Sequence, residues 1–183
     1  MKRFAVLACI LSLAMIGCDK SISPVTPTGV VTLVAVLSGA SNVPPAASYE
    51  AGATGTAQIT MTPAGSGAYT ASVTLSLSSL LKAGVLPPAY APMDTGGTTI
   101  VAGLIQQGAA GTVGPAVVQL PIGQTTAVPP IYAPTGTVLI TLSNVTVPAS
   151  SASAILANPG GFYLNLYSAL NQNGVLRGQL IQH

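Results

Sequence analysis

The chain has 183 residues, of which 49% are hydrophobic and only 4% charged, with 20 glycines, 15 prolines, two cysteines and one histidine. Its formal net charge of +2 comes from Lys2 and Arg3, because Asp19, Glu50 and Asp94 cancel Lys20, Lys82 and Arg177. A neutral chain has no electrostatic footprint for a phosphate backbone, which excludes nucleic acid as a partner, and a lone histidine at the last position excludes a Ser-His or Cys-His set within a folded domain.

Lys2 and Arg3 precede an apolar run from Phe4 to Ile16, closed by Met15-Ile16-Gly17-Cys18. This is the pattern of a secretory signal over residues 1–17, and the run is shorter than the roughly 20 residues a membrane-spanning helix needs. The small residue before Cys18 resembles a bacterial lipobox, in which the thiol is acylated and the cysteine becomes the new N-terminus. The expected location is therefore the bacterial cell envelope, with Cys18 lipidated and the membrane a partner through that anchor. Cys9 falls in the signal, so the folded domain has no cysteine for a disulfide or thiolate chemistry.

Residues 18–29, with two prolines and no apolar periodicity, read as a flexible tether. The domain is expected over residues 30–183. Val30 to Ser38 is a continuous β-branched run, read as a strand buried on both faces and broken by Asn42-Val43-Pro44-Pro45. From Thr54, Ala57, Ile59 and Met61 alternate with polar residues. After a Gly-rich turn at Pro63 to Gly67, Val73, Leu75 and Leu77 alternate with Ser and Thr, which predicts a hairpin with one wet face.

Pro87 to Pro92 and Pro129 to Pro134 both read Pro-Pro-x-Tyr-Ala-Pro and are expected as loops, either coincidental in composition or with their tyrosines packed together or presenting a binding surface. Thr98 to Gln107 predicts a strand, Gly108 to Pro115 a glycine-rich turn, and Ala116 to Leu120 a further strand. Gly136 to Val147 alternates with Val138, Ile140 and Leu142 inward, and Ser150 to Asn158 predicts the one short helix, stopped by Pro159. Gly161 to Gln182 predicts a closing hairpin that turns at Asn171 to Gly174. Seven or eight strands with one short helix predict an all-β antiparallel sandwich or Greek-key barrel. Glu50 and Asp94 read as solvated loop charges, and His183 as an unstructured end.

Several segments resemble the CHRD domain, named from chordin and widespread in bacterial exported proteins. They are Leu37-Ser38-Gly39-Ala40 with Asn42-Val43-Pro44-Pro45, Gly55-Thr56-Ala57, and Gln107 to Gly111 with Gly114 to Val118. Tyr163 to Ser168 and Asn173 to Leu180 complete them in the family's order. The resemblance implies a β-domain that typically carries His-Ile-His before the glycine-rich turn, a third histidine in the penultimate strand, and glutamates before Val-Pro-Pro and beside the final Arg-Gly-Gln. Histidines two apart on a strand share a face, so such a set is suited to a metal, as in copper-zinc superoxide dismutase. Here those positions are Leu104, Gln106, Tyr167, Asn42 and Val175. The expectation is therefore no metal and no cofactor.

What remains is a neutral polar set, Asn42, Gln106, Asn165, Tyr167 and Arg177. It reads either as a hydrogen-bonding patch for a glycan or peptide, or as side chains that satisfy buried backbone groups, and the second is preferred. The functional expectation is a non-enzymatic, lipid-anchored envelope domain with a structural, adhesive or protein-interaction role. The lack of charge repulsion permits self-association or packing into a matrix, the alternative being a soluble domain held apart by its tether. The alternatives are a glycan- or peptide-binding module at the patch and a divergent metal-handling or superoxide-dismutase-like domain.

Overall fold

The computed structural model describes residues 29–46, 50–80, 97–123, 131–134 and 137–183. The proposed signal, Cys18, the tether up to residue 28, Lys82, the first Pro-Pro-x-Tyr-Ala-Pro segment and Asp94 lie outside them. The strands are β1 (Val31–Ser38), β2 (Thr54–Gly65), β3 (Ala68–Ser78), β4 (Gly97–Gln107), β5 (Ala116–Gln119), β6 (Ile131–Pro134) and β7 (Thr137–Val147). The helix α1 (Ala149–Ala157) follows, then β8 (Phe162–Ser168), β9 (Leu176–Gln179) and β10 (Ile181–Gln182). Among the described residues no helix is long and apolar enough to cross a membrane.

All pairings are antiparallel, in the order β5-β4-β8-β9-β1-β2-β3-β7, with β6 added to β4 and β10 to β1. The end strands β5 and β7 approach each other, so the eight-stranded sheet is nearly closed into a barrel. Near-closure leaves few free backbone groups at the sheet ends. Helix α1 leaves β7 directly, and its Ser151 Oγ donates to the Val117 carbonyl of β5 at 3.0 Å, bridging the gap.

The alternation expected on β2 and β3 is present. Ala57, Ile59 and Met61 face Val73, Leu75 and Leu77 in the core, and their neighbours point outward. The inward faces of the barrel also carry Leu33, Leu37, Ile105, Leu164, Leu166 and Leu176. Their burial supplies the main stabilising term, about 25 cal/mol per Å² of apolar surface.

Three expectations are corrected, and the alternation expected on β7 holds as far as Leu142. The first strand is buried on one face only: Val31, Leu33, Ala35 and Leu37 point inward, whereas Val36 is 73% exposed. A β-branched residue fits either face of a pleated strand, so the unbroken apolar run concealed the alternation. Ile131 to Pro134, expected as loop, is strand β6 on the β4 ladder, paired from Gly97↔Pro134 to Ile100↔Ile131. A proline is tolerated there because it ends a short strand that pairs on one side. In β7, Leu142 is buried and Val138 and Ile140 are partly so, but the ladder to β3 shifts register between Ala71 and Val73. Asn144 adopts φ +57°, and beyond it Val145 and Val147 face inward, the change of parity that a bulge imposes. Finally, the end of the chain is tied down, since β10 pairs with β1 and the His183 amide donates to Thr32 O at 3.0 Å, leaving its side chain exposed.

Strand β9 crosses β1 where only glycine fits, because a Cβ on Gly178 would run into the Val36 carbonyl. Gly178→Ala is expected to cost about 3 kcal/mol by forcing the backbones apart, read as a lower denaturant midpoint.

Candidate functional site

The closing hairpin is buried on both faces. Phe162, Leu164 and Leu166 of β8 enter the core, while Tyr163, Asn165 and Tyr167 point to the opposite side. There the register aligns Gln106 of β4 with Tyr163, Tyr163 with Gln179 of β9, and Asn165 with both Leu104 and Arg177. This outer face is covered by two segments, the glycine-rich loop 108–115 and the turn Gly39–Ser41 that leads to Asn42. Asn42, Asn165 and Arg177 are consequently 2, 5 and 2% exposed. The structure thus brings all five predicted site residues together, under a cover rather than on an open surface.

The cover is held by side chains. Gly114 N donates to Tyr163 Oη at 3.0 Å, and Gln106 Nε2 donates to Gly114 O at 2.9 Å. Arg177 Nη2 donates to Ala109 O at 2.9 Å, with the guanidinium carbon 3.5 Å from the centre of the Tyr163 ring. Gln179 Nε2 donates to Gly108 O and to Gly160 O at 3.0 and 2.9 Å. A loop rich in glycine has few side chains of its own to bury, so its carbonyls need such donors from the sheet.

Gln106 Oε1 accepts from Tyr167 Oη at 2.8 Å and from Asn165 Nδ2 at 3.4 Å. Burial pushes the Tyr167 phenol above its ordinary value, against the opposing pull of its hydrogen bond with Asn165 and, more weakly, of Gln106 and the Arg177 charge. It therefore stays protonated at neutral pH and acts as a donor. Where the hairpin turns, Gly174 at φ +119° has no side chain, and a Cβ there would collide with the amides of Asn42 and Asn165. Among the described residues, several buried atoms have no hydrogen-bond partner: both amide atoms of Asn42, Asn165 Oδ1 and Gln179 Oε1.

Glu50 was not legible as a site residue, and its reading as a solvated charge is corrected. It is fully buried. Its Oε2 accepts from Ser168 Oγ at 2.6 Å and from Asn171 Nδ2, while Ser168 Oγ accepts from Asn171 N at 2.9 Å. Glu50 thus ties the segment before β2 to the hairpin turn. Its partners lie 118 and 121 residues away, and no local pattern points to them.

The positions where the resemblance implies imidazole or carboxylate hold amide, phenol and aliphatic groups, which do not fit a divalent transition metal. Among the described residues no three His, Cys, Asp or Glu side chains come together. Fold and site together define a nearly closed antiparallel β-domain whose polar residues anchor the loops laid over its last hairpin. The family model of the CHRD domain matches residues 33–180, and the chain belongs to that family. Neither the curated proteins nor the solved structures contain a match to the chain.

Proposed function

We propose that the chain is a non-enzymatic, lipid-anchored domain of the bacterial cell envelope, with a structural or adhesive role exercised through the outer face of β1, β2, β3 and β7. The observation that carries this reading is the make-up of that face. Its rows run Val36, Thr56, Ser76, Leu139 and Val34, Gln58, Thr74, Thr141 across the four strands. Hydroxyls, one amide and single aliphatic groups make up these rows, and His183 lies beside them at the β1 end. A neutral hydroxyl-rich sheet meets no long-range repulsion from a second copy or from an uncharged polymer. The lipobox-like Cys18 would hold the domain at the membrane, with the following residues as tether.

Two variants test the two halves of the proposal. Cys18→Ser is expected to abolish incorporation of labelled palmitate and move the protein from the membrane to the soluble fraction; a variant that remains in the membrane contradicts the anchor. Thr74→Lys with Thr141→Lys places two like charges opposite each other on the outer face. It is expected to reduce co-sedimentation with isolated envelope material severalfold while leaving the lipid label unchanged. Undiminished co-sedimentation contradicts the adhesive role.

A further inference from the structure

The outer face of β1, β2, β3 and β7 carries more than hydroxyls. A depression of about 360 Å³ lies on it among Val34, Val36, Thr56, Gln58 and Thr74, with His183 at its rim. Of the five large hydrophobic side chains exposed among the described residues, three stand on this face. Val36, 73% exposed, borders the depression, and Ile181, 59% exposed, pairs with Val34 beside it. Leu139, 71% exposed, projects from the opposite side of the face, on β7. The register runs from Val36 to Thr56, from Thr56 to Ser76 and from Ser76 to Leu139. With strands about 4.8 Å apart, Leu139 stands roughly 14 Å along the sheet from Val36 and does not reach the depression of its own chain.

We infer that this face binds a second copy of the chain, with Leu139 of each copy seated at the depression of the other. A two-fold axis running along the strands between β2 and β3 reverses the strand order. Leu139 then meets the partner's Val36, and Thr56 meets the partner's Ser76. The same contacts recur with the roles exchanged, the isologous pattern of a dimer. The next row reverses in the same way, with Gln58 opposite the partner's Thr74. A hydroxyl both donates and accepts, so a hydroxyl-bearing face is complementary to itself, and these rows hold no Asp, Glu, Lys or Arg to repel an identical row. An uncharged glycan could pair with the same hydroxyls but carries no aliphatic side chain to enter the depression. The eight residues of β1 at about 3.3 Å each, and four strands about 4.8 Å apart, give a face of about 500 Å² per copy. Stable interfaces bury about 800 Å² per partner. The dimer is therefore a weak one, with a Kd on the order of 0.1–1 mM, favoured where an anchor holds the copies on one surface. The inference rests on the adhesive role proposed for this face and names its partner.

Sedimentation equilibrium of the full-length protein in density-matched detergent, over concentrations spanning that range, tests the inference with two double variants. One is Val36→Lys with Leu139→Lys, the other Val36→Asp with Leu139→Asp. Both positions are largely exposed, so the fold tolerates either change. The wild type is expected to show a reversible monomer–dimer equilibrium. Each double variant alone is expected to associate at least about tenfold more weakly, because like charges then face each other. An equal mixture of the two is expected to regain dimers, since Lys and Asp meet across the interface. A wild type that stays monomeric, a double variant that dimerises as the wild type does, or a mixture that regains nothing would overturn the inference. Co-sedimentation with envelope material distinguishes this failure from that of the adhesive role. A monomeric wild type whose co-sedimentation still falls with Thr74→Lys and Thr141→Lys overturns the dimer, assigns the face to an envelope polymer and leaves the adhesive role standing.

Discussion

Glu50→Ala is expected to lower the free energy of unfolding by about 3 kcal/mol, among the largest effects of any single side-chain truncation in this chain. Stranding a buried hydrogen-bonding group costs roughly 1–3 kcal/mol, and Glu50 receives two hydrogen bonds from the hairpin turn, from Ser168 Oγ and Asn171 Nδ2. Its removal strands both donors in a site that is 0% exposed at Glu50 and at Ser168. Since small domains have about 5–15 kcal/mol in total, the loss is a large share of the whole. Glu50→Gln keeps the volume and can place its amide oxygen where Oε2 accepts from both donors, and is expected to cost about half as much. Urea melts followed by circular dichroism measure both. A midpoint for Glu50→Ala within about 0.5 kcal/mol of wild type, the range of an ordinary surface substitution, would mean that the carboxylate is solvated.

Arg177→Ala is the second large effect, expected at about 3 kcal/mol. It removes the donor to Ala109 O, the cation over the Tyr163 ring and a buried aliphatic stem. The loss should be concentrated in the cover, because Tyr163 Oη, which holds Gly114 N, is itself positioned beneath the guanidinium. Amide exchange at Gly114 and Thr112 is therefore expected to accelerate more than exchange at Ile59 or Val73 in the β2–β3 ladder. A uniform rise across the barrel would show that Arg177 stabilises the fold as a whole and does not pin the loop. Arg177→Lys retains charge and stem but neither the planar stack nor the fork, and should fall between the wild type and Arg177→Ala.

These two residues mark the boundary of what the sequence discloses. The β2–β3 hairpin was readable because Ala57, Ile59 and Met61 alternate with polar residues, and the helix because Pro159 stops it. The closing hairpin was readable as two strands and a turn, but not as a doubly buried element. Tyr163, Asn165 and Tyr167 have the composition of a solvated face, and what covers that face is the loop 108–115, folded back from β4, together with the turn Gly39–Ser41. Glu50 was hidden for the same reason: the burial of its carboxylate depends on a turn more than a hundred residues distant. Strand β6 was obscured by its flanking prolines, and the exposure of Val36 by the apolar run around it. Local pattern reports which residues form strands; which faces are covered is decided by loops packed across them.

The central claim is that the hairpin's covered face is a neutral hydrogen-bonding network and not a metal centre. Elemental analysis of the lipidated full-length protein, after incubation with zinc and copper and removal of unbound metal, tests this most directly. With amides, a phenol and aliphatic groups at Asn42, Leu104, Gln106, Tyr167 and Val175, and the one histidine exposed at the C-terminus, retained metal is expected far below one ion per chain. Tightly held stoichiometric zinc or copper, lost on substitution of Gln106 or Tyr167, would contradict the account.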